Sequence, residues 1–246
     1  MSRLRGEIMK NNDVKFTLPL LEEPRPLRIR FRKTGDLQYI SHLDLQRTFA
    51  RVLVRAGLPL WYTKGFNPHI KMVFGLPLSV GVESECEFLD IRIERDMSEQ
   101  EIQTRLNGEV TPEMAVTAVY RPASKFTDVA FAEYEYTVKA PGAVGACDKV
   151  RALFNGGPLV VMNKSKSGEK ETDIRPLIRR VSVEPCEGGL SMVAVLSAGE
   201  SGYLNPEYLI TVLRERVGLL TGDPLTERYR ILRRCVLLAD GETEFA

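Results

Sequence analysis

A short turn in the first third of the chain carries side chains suited to binding an anion or a nucleobase. It runs G-F-N-P-H-I-K from Gly65 to Lys71, and its glycine and proline favour a tight turn. On and beside it lie four polar donors: Lys64, Asn67, His69 and Lys71. Cationic and amide donors suit a phosphate or the edge of a base. The alternative is a structural turn whose Asn and His satisfy local backbone groups.

A second group of polar side chains is S-H-L-D, at the start of a predicted helix. Ser41 is the predicted N-cap of this helix, and Gly57 is the glycine predicted at its C-terminal end. The chain has only two histidines, His42 here and His69 in the turn, so a His-rich zinc site is excluded. His42 and Asp44 are more simply helix-capping groups. Acid–base cleavage of RNA by His42 or His69 is an alternative, but we predict no catalytic and no metal-binding residue.

Two arginine arrays follow the periods of regular structure. One stripe lies on the predicted helix, with a spacing of four residues: Arg47, Arg51 and Arg55. The other alternates with apolar residues in L-R-I-R-F-R-K, a strand with one buried face: Arg28, Arg30 and Arg32.

The strand arginines have two interpretations. The open face of a ferredoxin-like sheet is where RNA-recognition modules hold single strands, so we predict RNA contact there. However, the aromatic pair used for base stacking is missing from these positions. The same arginines could instead pair with acids on a neighbouring strand: Asp90 and Glu94.

The second half offers one further candidate, Arg175 in D-I-R-P. Beside it, a predicted hairpin carries Lys164, Lys166 and Lys170. These cations could form a flap over a polyanion, and we count Arg175 among the predicted RNA or phosphate contacts. A solvated hairpin is the alternative.

Several enzyme classes are excluded by missing motifs. The chain has no Walker loop, no G-x-G-x-x-G after a strand, no G-x-S-x-G and no H-E-x-x-H. Its four cysteines contain no C-x-x-C pair, so we expect small buried thiols in a reducing compartment. We predict no cofactor. No apolar run reaches the roughly 18 residues of a membrane span, so we expect a cytoplasmic protein without membrane contact.

The net charge of +1 hides an uneven distribution. Residues 1–80 carry fourteen Lys or Arg against six Asp or Glu, whereas residues 81–140 carry six against thirteen. Such asymmetry can steer an anionic partner. It can also reflect cross-strand ion pairs within one domain.

The order of predicted elements repeats. Strand 27–33, a helix from Ser41, an extended region 61–84, strand 87–94, helix 97–106 and strand 114–120 give β-α-β-β-α-β, the ferredoxin-like plan. The second half repeats it with strand 134–140, helix 144–154, a hairpin arm 159–183, strand 190–196, helix 205–217 and strand 228–238. We therefore predict an α+β protein of two tandem ferredoxin-like domains, 27–122 and 131–240, after a flexible segment 1–26.

Several separated motifs resemble the radical-SAM-linked family, whose members are encoded beside a radical SAM enzyme or fused to one. They are Y-I-S-H-L-D-L, G-F-N-P-H-I-K, P-L-S-V-G-V-E-S-E and E-F-L-D-I in the first half, and D-I-R-P-L-I and L-N-P-E-Y-L in the second. The resemblance implies a radical SAM protein encoded nearby as partner, and supplies no reaction.

We therefore expect a non-catalytic accessory protein that presents RNA, a tRNA or an rRNA, to that enzyme. One alternative is a protein-docking subunit without RNA contact. The other is a metal-independent RNA endonuclease.

Overall fold

The computed structural model describes residues 17–165, 168–200, 202–222 and 225–246. Within them the chain is a mixed α+β protein with mostly antiparallel strands and four α-helices, which confirms the predicted class. It divides into two units. The first runs to Ser124 and includes Ala246, and the second is Lys125–Phe245. The predicted domains, 27–122 and 131–240, fall within these units.

The first unit has four strands and two α-helices among its described residues: β1 (Leu20–Lys33), α1 (His42–Arg55), β2 (Val73–Gly75), β3 (Glu83–Arg95), α2 (Glu99–Asn107) and β4 (Val116–Tyr120). The strands lie in the order β2–β3–β1–β4, and each neighbouring pair is antiparallel. Each helix therefore connects two strands that are consecutive in the chain but not adjacent in the sheet.

The core of this unit follows from the alternation in β1. Leu27, Ile29 and Phe31 are fully buried, because every second side chain of a strand points to the same face. The Phe31 ring lies 4.4 Å from the ring of Phe49 on α1. The buried face of α1 thus packs on the face of β1 opposite the arginines.

The ends of α1 are set by the residues that the sequence indicates. The hydroxyl of Ser41 accepts a hydrogen bond from the backbone N–H of Asp44 at 3.2 Å, the expected N-cap arrangement. After the helix, Gly57 has φ +64°, a left-handed conformation that glycine adopts without a Cβ penalty. Both predicted cap positions are confirmed.

Strand β1 begins earlier than the sequence suggests. Residues 20–26, predicted as part of a flexible lead-in, belong to the strand, and Leu20 and Arg25 pair with Arg95 and Ile93 of β3. Pro26 is tolerated because β4 pairs only with Arg28–Phe31, which leaves this part of β1 unpaired on that side. The predicted segment's first sixteen residues lie outside the described part of the chain.

The second unit has a related plan. Its elements are β5 (Phe131–Lys139), α3 (Cys147–Phe154), β6 (Val160–Ser165), β7 (Gly168–Asp173), β8 (Ile178–Cys186), β9 (Gly189–Gly199), β10 (Gly202–Tyr203), α4 (Glu207–Val212) and β11 (Arg228–Leu237). The strand order is β8–β9–β5–β11, again antiparallel. Strands β6 and β7 form a separate hairpin, and β10 pairs with the end of β9.

Two helices of this unit are shorter than predicted. A 3₁₀ turn, Val144–Ala146, precedes α3, and a π-helical turn, Leu213–Val217, follows α4. Pro206 is the N-cap of α4. No helix in the described residues is long and apolar enough to cross a membrane.

No disulfide joins the four cysteines, all of which lie in the described part of the chain. Cys86 and Cys147 are buried, as predicted, whereas Cys186 and Cys235 are partly exposed.

Candidate functional site

The predicted binding turn is the end of a hairpin held on the sheet of the first unit. Leu60 bridges Ile93 of β3, and β2 pairs with the same strand after the hairpin. Within the hairpin, Tyr62 bridges Ile70, and the backbone N–H of Thr63 donates to the carbonyl of His69 at 2.9 Å. Both ends of the segment are therefore fixed by one strand.

His69 is oriented by its neighbours in the hairpin. Its backbone N–H donates to Thr63 Oγ1 at 3.1 Å. Its ring Nδ1 lies 3.1 Å from the same hydroxyl and 3.2 Å from the carbonyl oxygen of Asn67. A carbonyl can only accept, so Nδ1 carries the proton in the neutral ring. The other ring nitrogen, Nε2, is then an acceptor.

A groove of about 670 Å³ lies between α1 and this hairpin, within the usual range for ligand sites. Its walls are mostly apolar, with guanidinium, phenol and imidazole groups among them. The helix contributes Ala50, Arg51, Val54 and Arg55, and the hairpin contributes Tyr62, His69, Ile70 and Met72. The helix stripe and the predicted turn thus meet in one groove.

The arginine stripe lies on the exposed side of α1, opposite its buried residues Leu45, Phe49, Val52 and Leu53. Arg47 pairs with Asp44 at 3.4 Å, and Arg55 pairs with Glu109 at 2.7 Å while 69% exposed. Ion pairs between exposed groups contribute little to stability, so Arg47 can turn toward a ligand at small cost. Arg55 is held more firmly, because the Glu109 side chain is only 23% exposed. Arg51 is exposed and lines the groove, whereas Arg47 does not line it.

The rest of the hairpin is exposed and cationic. Lys64, Asn67 and Lys71 are exposed but are not among the groove residues. At the tip, Phe66 is fully exposed. Residues 41–72 carry five Lys or Arg and one acidic residue, which gives this surface a positive potential.

Arg28 has a structural role, which corrects the predicted RNA contact. It is 1% exposed. Its Nε and Nη2 donate to the two carboxylate oxygens of Asp90 at 2.7 and 2.9 Å. It also donates to the carbonyl and hydroxyl of Ser124, both at 3.1 Å, and to the carbonyl of Ala246 at 3.3 Å. The alternative of pairing with Asp90 is therefore correct for this arginine.

The other arginines of this strand are more accessible. Arg30 is half-buried and Arg32 is exposed, so the face of β1 becomes more open toward its end. Neither residue belongs to the groove between α1 and the hairpin.

Arg175 supports the local backbone of the second unit. Its Nη1 donates to the carbonyl of Ile178 at 2.9 Å, and its backbone N–H donates to Asp173 Oδ1 at 3.0 Å. The same carboxylate accepts the N–H of Leu159 at 2.8 Å. These bonds account for D-I-R-P as the end of the β6–β7 hairpin. Lys166, predicted for the flap, lies outside the described residues.

The two histidines are not brought together in the groove. His42 does not line it. Its Nε2 lies 2.9 Å from the amide nitrogen of Gln46, and its ring meets Phe74 edge-on with 5.3 Å between centroids. Asp44 accepts a hydrogen bond from the Ser41 hydroxyl at 2.7 Å. His42 and Asp44 thus have local roles at the start of α1.

The apolar and aromatic side chains of this site were not predicted from the sequence. Tyr62, Ile70 and Met72 line the groove, and Phe66 is exposed beside it. The exposure of Phe66 could have been predicted, because a phenylalanine between glycine and asparagine in a turn is seldom buried. The position of Val54 in the groove could not be predicted from the sequence, because Val54 lies next to the buried residues of α1.

A second polar cluster, also missed, lies in the other unit. The Tyr229 hydroxyl donates to the Glu207 carboxylate at 3.3 Å, and the Arg214 guanidinium lies 5.4 Å from the Tyr229 ring centre. Burial raises the pKa of Glu207, although the Tyr229 hydrogen bond and Arg214 act in the opposite direction. Glu207 borders a cavity of about 350 Å³.

Comparison with known proteins identifies the family. Residues 26–206 match DUF2344, described as an uncharacterized protein conserved in bacteria. The chain belongs to the DUF2344 family. The match covers the hairpin, the groove and most of the second unit. The family description does not mention radical SAM enzymes, so that link stays a prediction for this DUF2344 protein.

Solved structures give distant similarities. One is titled "Crystal Structure of a Cbf5-Nop10-Gar1 Complex", with 11% identity and a TM-score of 0.48 over 89% of this chain. The DUF2344 chain spans 55% of that matched chain. Another is an unknown protein from Galdieria sulphuraria, with 13% identity and a TM-score of 0.26, covering 86% of this chain and 99% of the other. A search of curated proteins gave no match.

Proposed function

We propose that the first unit binds single-stranded RNA along the surface formed by α1 and the hairpin. The observation that carries this proposal is the shared groove, in which Arg51 and Arg55 of the helix face the same space as Tyr62 and His69 of the hairpin. Cations, an aromatic ring and a hydrogen-bonding imidazole converge there from two elements that are separate in sequence.

This combination matches the physics of single-strand binding. Proteins of that kind combine a cationic surface that follows the phosphates with aromatic side chains on which bases stack. Lys64 and Lys71 supply charge beside the groove, and Phe66 offers a fully exposed ring. A folded protein gains no stability from such a ring in water, so a binding role accounts for it better than a folding role.

We further infer that each unit is ferredoxin-like and that the two arose by duplication. The strand orders β2–β3–β1–β4 and β8–β9–β5–β11 support this, because each places the first strand between the third and fourth. In this proposal the RNA lies against the helix side of the first unit. The open sheet is a poorer candidate, since Arg28 is buried there.

The protein then serves as a non-catalytic accessory that presents a tRNA or an rRNA to a radical SAM enzyme encoded nearby. The partner rests on the family resemblance of the sequence motifs. Co-expression with that enzyme and size-exclusion chromatography tests it, with and without ribonuclease. Separate elution in both conditions counts against a stable complex.

The RNA test is fluorescence anisotropy with a labelled single strand between about 50 and 200 mM salt. Each phosphate contact on a single strand contributes about 0.7 to the slope of log K against log salt. The double variant Lys64→Ala/Lys71→Ala should therefore bind more weakly, with a slope flatter by about 1.4.

Further variants distinguish the surface of α1 and the hairpin from the arginine face of β1. Arg121→Ala/Lys139→Ala removes two exposed cations that do not line the groove and should leave affinity unchanged. Arg32→Ala tests the exposed end of β1. If wild type and Lys64→Ala/Lys71→Ala bind equally at each salt concentration, the proposed interface is wrong.

A protein-docking role is the second candidate, because the groove walls are largely apolar and Leu43 and Val54 are 53% and 51% exposed on α1. Exposed apolar side chains near a groove are typical of protein-binding surfaces. Val54→Glu should block a docked protein segment. Two results together would favour docking over RNA binding. They are that Val54→Glu no longer forms a complex with the radical SAM enzyme and that the wild-type protein binds no RNA.

A further inference from the structure

We propose that the groove takes one unstacked base of the bound strand and that His69 reads the base's exocyclic amino group. This inference rests on the proposed RNA binding and names what the groove selects. The ligand class is a nucleobase with an amino donor, such as adenine or cytosine, within single-stranded RNA.

The shape and walls of the groove suit a flat aromatic group. Val54, Ile70 and Met72 supply apolar contact, and Tyr62 supplies a ring for stacking. A base stacked on an aromatic side chain gains affinity whatever its identity, because every base has a π-face. The apolar walls therefore account for capture of a base but not for a choice among bases.

The choice comes from the tautomer of His69. The Asn67 carbonyl, 3.2 Å from Nδ1, holds the proton on that nitrogen, and the Thr63 hydroxyl lies 3.1 Å from it. Neutral His69 therefore offers Nε2 as an acceptor. Nε2 makes no hydrogen bond to the described residues of the chain. A groove residue with a fixed acceptor selects a ligand that donates a hydrogen bond.

The charge around the groove favours a nucleic acid over an apolar peptide as the source of this group. Arg51 is exposed and lines the groove, so it can hold a phosphate next to the inserted base. Residues 41–72 bear five Lys or Arg against one acidic residue. A run of phosphates matches this positive charge, whereas a neutral apolar segment does not.

The experiment compares strands of about eight nucleotides built from adenosine or from purine riboside, which lacks the amino group. One hydrogen bond corresponds to a preference of roughly 3- to 10-fold for the adenosine strand in wild type. His69→Ala should abolish this preference and leave the salt slope unchanged. His42→Ala is the matched control, because His42 lies outside the groove, and it should keep the preference.

The outcomes separate the inference from the proposed function. If wild type binds both strands equally, the inference is overturned while RNA binding stands, and this comparison needs no variant. A folded His69→Ala protein that keeps the preference also overturns it. If wild type binds neither strand in a salt-dependent way, both the inference and the proposed function fail.

Discussion

The buried arginine of β1 gives a sharp test of the structural assignments. Arg28→Met keeps the length and apolar stem of the side chain but removes the guanidinium. Five hydrogen bonds to described atoms are lost, two of them to Asp90. The Asp90 carboxylate then has no paired guanidinium, and the carbonyls of Ser124 and Ala246 lose a donor. We expect a large loss of stability.

The magnitude follows from the burial of the two partners. Breaking a buried ion pair by removing one member costs about 3–5 kcal/mol. The Asp90 side chain is 26% exposed, so water solvates part of the remaining charge and the lower end, about 3 kcal/mol, applies. For a chain of this length that corresponds to a melting temperature lower by about 6–12 °C.

Thermal and urea unfolding followed by circular dichroism measures this loss. Arg32→Met is the control, because Arg32 lies on the same strand but is exposed, and it should stay within about 0.5 kcal/mol of wild type. Replacing both partners, Arg28→Met/Asp90→Leu, should recover stability relative to Arg28→Met, because no unpaired charge remains. Equal melting of Arg28→Met and wild type would refute the pairing as a source of stability.

Three further changes test other parts of the fold. Gly57→Ala should cost about 1–2 kcal/mol, because φ is +64° there, and Gly57→Asn should cost less; equal losses in urea melts would argue against the left-handed turn. Ser41→Ala should cost about 1 kcal/mol through loss of the helix cap, and an unchanged urea midpoint would contradict this. Burial raises the pKa of Glu207, so its contribution to stability is present below about pH 4 and is lost as pH rises through the raised pKa. Glu207→Gln should therefore gain stability relative to wild type as the pH rises above about 4; a difference independent of pH would contradict this.

Local patterns were sufficient for the elements that carry the core. The alternation L-R-I-R-F-R predicted a half-buried strand, and the structure buries Leu27, Ile29 and Phe31. Ser41 and Gly57 marked the ends of α1 because capping depends on neighbouring residues alone. The extension of β1 to Leu20 was missed, because prolines normally indicate a loop. The strand tolerates these prolines because β4 does not pair with that part of β1, and such pairing depends on tertiary structure.

Which of the strand arginines are buried could not be predicted from the sequence. Arg28 and Arg32 have the same parity in the alternation, yet one is buried and the other exposed. The difference comes from Ser124 and Ala246, which are 96 and 218 positions from Arg28 in sequence. Such long-range contacts leave no periodic signal, so a pattern can assign a face to a side chain without saying what covers that face.

The parts of the candidate groove could be predicted from local sequence, but their meeting could not. Spacing placed the arginines on one side of α1, and glycine and proline indicated the turn. Their meeting depends on Leu60 and β2 both pairing with β3, which fixes the two ends of the hairpin beside the helix. Neither Val54 nor Phe66 belongs to the hydrophobic core of the unit. Exposed apolar side chains beside cations indicate a binding surface, and we propose single-stranded RNA as the ligand because its bases can stack on the apolar groups while its phosphates pair with the cations.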